Sequence, residues 1–247
     1  MFNYIRGELY RITHKKSSYI YFSILFVLFF VLMLLIKTIA DLDKENIIFV
    51  TQVIIASFSF YFIGIPVFMS VYTDDFSAKT LSSAISAGVG KLKLIISKFI
   101  VEAIYLCVVY LFGLLAFFLM YLLSTGFQIP SAEDFQTLGI TTMLSFLSIL
   151  GFSAISSILA FLSQRTSLAI IMYILIGSGV VHLILNLLTL LHEFFETISE
   201  WTLSGRLTSA QASQSVTKEF LLVFGIYLLV SIGVNYWILR EKEIRIN

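Results

Sequence analysis

One hydrophilic segment, residues 73–98, lies between two long apolar blocks and carries charged side chains of both signs that could support chemistry. This segment holds the nearest approach to a phosphate-binding loop, Gly88-Val89-Gly90-Lys91. A P-loop also needs a glycine five residues before its Gly-Lys pair and a serine or threonine directly after it. Ile85 and Leu92 occupy those positions, which excludes an ATP site of this kind. We expect no catalytic residue in the chain and no cofactor bound by it.

His192 and Glu193 raise the question of metal chemistry, since together they resemble the start of the zinc-protease motif. That motif needs its second histidine at position 196, where the chain has Glu196. We therefore favour a solvated acidic helix face here and predict no metal site.

A second pattern involves a histidine inside an apolar block. His182 and Asn186 lie one helical turn apart, and with the pair Asp74-Asp75 they are faintly similar to the CAAX-type intramembrane proteases. Those enzymes use glutamates and an arginine, where this chain has aspartates and Lys79. A buried hydrogen bond between His182 and Asn186 is the ordinary alternative.

Glu102 is the only acidic residue in the interior of a predicted membrane span, since Glu219 stands at the first position of the last one. Ionisable residues within a membrane are functional candidates by default. Lys98 precedes Glu102 by one helical turn on the same face, where the two charges can neutralise each other near the membrane boundary. We favour a structural ion pair and keep a role in transport as the alternative.

The composition is that of an all-α integral membrane protein. Of 247 residues, 59% are hydrophobic and 13% are charged, whereas a soluble domain keeps about 25% of its residues charged. The apolar blocks do not alternate as barrel strands do, and each can cross a hydrocarbon core of about 30 Å as a helix. The net charge of +1 implies no nucleic-acid partner, and Cys107 alone forms no internal disulfide.

Six transmembrane helices are predicted, the first being too long for a typical signal-peptide core. The Lys and Arg residues, including Lys98 near the inner end of the third span, divide twelve to four between the two sides, which predicts that both termini lie in the cytoplasm. The predicted spans are approximately Ser18–Ile36, Ile47–Tyr72, Leu94–Leu123, Thr137–Ser163, Ser167–Leu190 and Glu219–Leu239.

Two segments outside the spans have amphipathic patterns. Residues 1–17 fit either a helix lying on the inner leaflet or a basic tail that only sets the membrane orientation. Residues 191–217 favour an external segment with a short helix at the outer interface. The first pattern consists of Phe2, Ile5, Leu9 and Ile12, with Arg6 and Arg11 between them. The second consists of Leu191, Phe194, Phe195, Ile198 and Trp201.

Two spans carry residues that affect helix packing. Small residues of the fourth span favour close packing within the subunit. Gly64 and Pro66 should bend the second span, because proline removes a helix hydrogen bond. The small residues are Ser145, Ser148, Gly151, Ser153, Ala154, Ser156, Ser157 and Ala160.

The residues between 74 and 98 resemble the permease subunits of type-2 ABC exporters. In that family an acidic residue, a Gly-Thr-Leu-like step, a short helix, a basic residue and a lysine follow the second span. Lys79 replaces the usual glycine, and the usual proline before the basic residue is absent. The corresponding residues here are Asp74 or Asp75, Lys79-Thr80-Leu81, Lys91 and Lys98, with Lys93 beside them. The six spans, the start with Glu8 and the charged tail Arg240-Glu241-Lys242-Glu243 also match.

The resemblance implies a function and partners. The chain would be a single permease domain, residues 1–247, paired with a second copy of identical or different sequence. Residues 73–93 would contain a coupling helix that binds a cytoplasmic ATPase subunit, which holds the ATP and Mg²⁺. The implied substrates are hydrophobic or amphipathic peptides, bacteriocins or drugs. The transporter would export them across a bacterial cell membrane or confer immunity to them. The alternative, a stand-alone secondary transporter or channel, would need midplane charges or unwound half-helices.

Overall fold

The computed structural model describes residues 1–40, 44–74, 84–85, 88–125, 127 and 129–244, and no β-strand occurs among them. Two π-helical segments, with one short α-helix between them, interrupt the second apolar block. The other helices are α-helices. In chain order the elements are α1 (Phe2–Thr13), α2 (Lys16–Ala40), α3 (Lys44–Ser59), π1 (Phe60–Gly64), α4 (Ile65–Phe68), π2 (Met69–Thr73), α5 (Lys91–Ser124), α6 (Ala132–Ser163), α7 (Thr166–Gly177), α8 (Val180–Leu188), α9 (Phe194–Glu200), α10 (Leu203–Ala212) and α11 (Lys218–Ile244).

Four described helical stretches are long and apolar enough to cross a membrane. The pair α7 and α8 is bent by 53° and makes a fifth crossing if it acts as one span. In α2 the described apolar stretch, Lys16–Val31, is shorter, so the sixth span stays a prediction. The four long stretches are Ile47–Thr73, Lys91–Leu123, Ala132–Ser163 and Lys218–Glu241.

Helix α6 lies at the centre of the bundle, with 72% of its apolar window buried, against 33% or less in the other three long stretches. All eight small residues of this span are buried, as packing within the subunit requires. Asn235 of α11 donates a buried hydrogen bond of 2.8 Å to the Ser157 hydroxyl. Ser131 begins α6, because its hydroxyl accepts from the Asp134 backbone N–H while the Asp134 carboxylate accepts from the Ser131 N–H.

The second span departs from α-helical geometry around the predicted Gly64–Pro66 position, as π1 and π2 on either side of α4. Pro66 has no N–H for the carbonyl of Phe62, four residues before it. That carbonyl instead accepts a hydrogen bond of 2.8 Å from the Tyr21 hydroxyl of α2. A freed backbone group inside an apolar bundle is thus satisfied by a side chain of a neighbouring helix.

Helix α1 packs against α5 and α2. The burial of its residues varies: Ile12 is buried, and Ile5 and Leu9 are half-buried, whereas Phe2 and Arg6 are exposed. In chain order, α9 and α10 follow α8 and precede α11, inside the segment predicted to be external, and α10 packs against α6 and α11. We call the end where α1 meets residues 70–74 and 91–98 the junction end.

Candidate functional site

A buried ion pair joins α1 to α5 at the junction end. The Lys98 ammonium lies 3.0 Å from a Glu8 carboxylate oxygen and donates a hydrogen bond of 2.9 Å to the Val71 carbonyl of π2. The Lys98 side chain is 1% exposed and the Glu8 side chain 9%. One ammonium group therefore holds three elements together.

Arg11 extends this contact along the same carboxylate. Its guanidinium donates to Glu8 at 2.7 Å and to the Ser70 carbonyl at 3.2 Å. The i to i+5 hydrogen bonds of a π-helix displace the regular α pattern. In π2, the Ser70 carbonyl accepts a hydrogen bond from Arg11 of α1, and the neighbouring Val71 carbonyl accepts one from Lys98 of α5. The π-helical part of the second span is therefore also the place where α1 binds.

Lys15 adds a more exposed contact, with its ammonium 2.6 Å from an Asp74 carboxylate oxygen. The two side chains are 43% and 28% exposed, so this pair contributes about 0–1 kcal/mol. Removing one partner of the buried pair would cost about 3–5 kcal/mol, because an uncompensated charge would remain inside. We call this set of residues the junction: Glu8, Arg11, Lys15, Asp74 and Lys98, with the carbonyls of Ser70 and Val71.

The charge state of Glu8 follows from these neighbours. Burial by itself would raise the pKa of the Glu8 carboxyl, whereas the positive charge of Lys98 and the hydrogen bonds and charge of Arg11 lower it. The cations outweigh burial, so the pKa of Glu8 lies below its ordinary value of 4.5. The carboxylate is therefore ionised at neutral pH and binds both cations in that form.

The predicted ion pair between Lys98 and Glu102 is not formed. Lys98 turns to Glu8 and Val71, while a Glu102 carboxylate oxygen accepts a hydrogen bond of 3.1 Å from the Tyr72 hydroxyl. Lys98 pairs instead with Glu8, which is 90 positions away in sequence. Arg11 of α1 binds the same carboxylate, and the Val71 carbonyl of π2 gives Lys98 a second acceptor. Glu102 is fully buried in the bundle.

Four aromatic rings connect the neighbourhood of Glu102 with the middle of the bundle. Tyr173 stacks on Phe68 with ring centroids 4.5 Å apart and on Phe60 with centroids 4.9 Å apart. Phe68 in turn lies 5.1 Å from Tyr72. We call Phe60, Tyr173, Phe68 and Tyr72 the aromatic column. Close packing of this kind transmits displacement from one ring to the next.

A cavity of about 250 Å³ lies at the far end of the aromatic column. It adjoins the break between α7 and α8, where Gly179 has a φ of +76° that side chains disfavour. Serine hydroxyls and aromatic rings line it, including Ser59, Ser145, Ser148, Phe60 and Phe152. No charged side chain lines it among the described residues, so it suits a neutral group that combines apolar surface with a hydrogen-bonding atom.

His182 and Asn186 belong to a closed ring of hydrogen bonds between α8 and α9. The Asn186 amide nitrogen lies 3.2 Å from His182 Nε2, and His182 Nδ1 lies 2.9 Å from the Ser199 hydroxyl. The Ser199 hydroxyl donates to the Asn186 carbonyl oxygen. This network places the imidazole hydrogen on Nδ1, so His182 has no free nitrogen to accept the Ser199 proton. The ring fixes α9 to α8 and does not activate a nucleophile.

No model of a known protein family matches the chain, and no curated protein matches it.

The structure brings together some of the predicted site residues and separates others. Asp74 and Lys98 both lie in the junction, while His182 and Asn186 bind Ser199 instead. Lys91 and Lys93 open α5, half-buried and exposed respectively. Four of the predicted coupling residues lie outside the described residues: Asp75, Lys79, Thr80 and Leu81.

One feature of the sequence indicated that Glu8 needs a buried partner, although the contact between Glu8 and Lys98 was not predicted. Glu8 stands three residues after Ile5 and four before Ile12, and so on the apolar face of α1. An acid on such a face needs a buried partner, which the fold supplies as Lys98. Its identity could not be read from the sequence, because several lysines had suitable positions.

Proposed function

We propose that the chain is the membrane-spanning permease subunit of an ATP-driven ABC exporter. In this proposal it lies in a bacterial cell membrane with both termini in the cytoplasm and pairs with a second permease copy. A separate ATPase subunit binds residues 73–93 and hydrolyses ATP. The exported substrate is hydrophobic or amphipathic, such as a peptide, a bacteriocin or a drug.

The observation that carries this proposal is the position of the junction. Its contacts lie at the two ends of the hydrophilic segment, at Ser70–Asp74 where the segment begins and at Lys98 where it ends. A force applied to the segment would therefore reach α1, the second span and α5 together. Rigid-body movement of packed helices is the expected response of such an arrangement.

The aromatic column and the cavity support a role in substrate contact. Movement of π2 displaces Tyr72 and Phe68, and through Tyr173 it reaches the ring of Phe60 that lines the cavity. The cavity of about 250 Å³ is smaller than the roughly 300–1,000 Å³ of sites for whole drug-sized ligands. It would accept one side chain or one apolar segment of a larger substrate.

Co-purification tests the proposal directly. The tagged chain, extracted from its native host in mild detergent, is expected to retain an ATPase subunit whose hydrolysis responds to the permease. In proteoliposomes containing both subunits, transport is expected to require ATP. Transport by the isolated chain without any ATPase would contradict the proposal.

Charge reversal at Asp74 distinguishes its two candidate roles, which are to fix α1 and to contact the ATPase. Asp74→Lys is expected to uncouple ATP hydrolysis from transport, as are Asp75→Lys and Lys91→Glu. The double variant Lys15→Asp with Asp74→Lys restores the contact with α1 in reversed order. Recovered coupling in the double variant means that Asp74 acts by fixing α1, whereas continued uncoupling means that it contacts the ATPase. Normal coupling in all the single variants would contradict a role for this segment.

A second candidate is an ion-driven secondary transporter, favoured by the broken α7–α8 span and the buried Glu102. Discontinuous helices and intramembrane carboxyls are typical of such proteins. In vesicles, its transport would persist without ATP and collapse when an ionophore dissipates the ion gradient.

A further inference from the structure

Glu102 is enclosed by three elements. Its side chain is 0% exposed, and the hydroxyl of Tyr72 in π2 donates to Oε2. The other oxygen, Oε1, has no hydrogen-bond partner among the described residues. Lys98 lies one turn away, about 6 Å along the helix axis. It is held by Glu8 and by the Val71 carbonyl.

Two more polar atoms beside Glu102 also lack partners. They are the hydroxyl of Ser153 in α6 and the hydroxyl of Tyr173 in α7, both in fully buried residues. The Ser153 hydroxyl is close enough to the Glu102 carboxyl and to the Tyr173 hydroxyl to interact with both, but none of these contacts has the distance and angle of a formed hydrogen bond. Buried polar atoms without partners are few in native proteins, and a group of them in one place calls for a physical explanation.

A proton on Glu102 would remove the buried charge and add a hydrogen-bond donor for the neighbouring oxygens. An ionised carboxylate is strongly disfavoured where water is excluded and no cation binds it. A protonated carboxyl is neutral and carries an O–H that can donate to the Ser153 or Tyr173 oxygen. The Tyr72 hydroxyl would continue to donate to Oε2 in either state.

The remaining charges around Glu102 do not replace a proton. From α1, Glu8 and Arg11 lie on the far side of Lys98 and bind each other. On α5 itself, the nearest other titratable residues after Glu102 are Tyr105, Cys107 and Tyr110, and none of them carries a positive charge in either protonation state. The acidic and basic residues of α2 and α11 stand towards the ends of those helices.

We propose that Glu102 is a protonation site inside the bundle that exchanges its proton with water at the junction end when α1 separates from α5. In that step the carboxyl O–H bond breaks and the proton passes to water. The carboxylate remains, and Lys98 becomes available to it as Glu8 moves away. Because no ATPase takes part in this exchange, the inference does not depend on the proposed function.

Infrared difference spectroscopy on the purified full-length chain in lipid nanodiscs tests the inference. A protonated carboxylic acid has a carbonyl stretch that an ionised carboxylate lacks. We expect such a band at neutral pH in the wild-type chain and in the control Glu193→Gln, and its loss in Glu102→Gln. Equal spectra of wild type and Glu102→Gln would overturn the inference, because Glu102 would then be ionised.

The exchange route is tested by transfer into D₂O, which shifts the same band as the proton is replaced. The double variant Arg11→Ala with Lys15→Ala weakens α1 binding and leaves Glu8 beside Lys98. Its exchange is expected to be at least about tenfold faster, since exchange through an opened state follows the population of that state. An unchanged rate would overturn the role of α1.

Two further measurements keep these results interpretable. Circular dichroism and gel-filtration elution establish that each variant is folded, and Ser153→Ala provides a milder change that should shift the band and retain it. Addition of Na⁺ at constant pH is expected to leave the band unchanged. Its loss with Na⁺ would overturn the proton assignment in favour of an alkali-cation site.

Discussion

Lys98 illustrates how one buried charge connects distant parts of this chain. Its ammonium contacts the Glu8 carboxylate and the Val71 carbonyl, from two different elements, at 3.0 and 2.9 Å. Buried ion pairs contribute little net stability compared with an apolar packing of the same shape, yet breaking one is costly. The pair is therefore better suited to specify where α1 binds than to strengthen the bundle.

Replacing Lys98 by alanine is expected to reduce stability by about 3–5 kcal/mol, because Glu8 would keep a buried charge without that partner. Thermal unfolding in detergent and trypsin cleavage at Arg6 measure the loss and the release of α1. The matched control is Lys93→Ala, an exposed lysine of the same helix, which should behave as wild type. Equal effects of the two substitutions would mean that the junction does not hold α1.

Glu8 makes the binding of α1 dependent on pH. Its pKa is lower in the folded chain, so its stabilising contribution is complete above the ordinary value of 4.5 and is lost as the pH falls through the lower, folded value. Fluorescence energy transfer between probes on α1 and α5 should therefore be constant near neutrality and fall only below pH 4.5. In Glu8→Gln this transition should disappear, whereas its persistence would assign it to another group.

At the scale of elements, the second and fifth spans deviate from regular helices where they touch each other. The ring of Phe60 in π1 occupies the space that a side chain at Gly177 would fill, directly before the α7–α8 bend. Tyr173, one turn earlier on α7, stacks between Phe60 and Phe68. The irregular backbones thus create both the aromatic column and the cavity beside it.

Gly177→Ala is expected to destabilise the chain by about 1–3 kcal/mol, because the added methyl group overlaps the Phe60 ring and forces repacking. Gly113→Ala is the control, since no atom lies within 4 Å of the added carbon. Alanine there should be neutral or stabilise the helix by up to about 1 kcal/mol. Unfolding in a denaturant series compares the two, and similar stabilities would contradict the packing of Phe60 on Gly177.

At the scale of the whole molecule, α2 is the helix whose crossing decides the topology. Helix α1 lies at the junction end beside residues 70–74, whereas the second span begins at the other end, near Ile47. The chain must therefore pass between the two ends through α2, which contacts the second span through Tyr21 and Phe62. Six crossings with both termini on one side would require that path, and this count stays a prediction beyond the four or five spans described.

Single cysteines in a Cys107→Ser background test that topology. A membrane-impermeant maleimide added to intact cells should label Phe127→Cys, at the end opposite the junction, and spare Lys93→Cys and His14→Cys until the cells are permeabilised. Labelling of both Phe127→Cys and His14→Cys in intact cells would indicate five crossings. Labelling of Lys93→Cys but not Phe127→Cys would invert the predicted orientation.

The sequence alone determined the properties that depend on near neighbours along the chain. Long apolar blocks predicted helices, and the small residues of the fourth span predicted its packing, because both follow from local hydrophobicity and residue size. A bend at Pro66 was predicted because proline lacks the N–H that a helix needs, and the structure has π-helical segments on either side of that position. The function assigned to residues 73–93 stays a prediction, since four of its key residues lie outside the described ones.

Only the tertiary structure decided which polar groups meet. The local pattern favoured Lys98 with Glu102, one turn apart, yet Lys98 binds Glu8, 90 residues away. The physical reason is competition: a lysine at that position can reach several acceptors, and the packing of α1 and π2 offers it a carboxylate and a carbonyl together. Glu102 is consequently left to Tyr72, in an enclosed space that no sequence pattern marks.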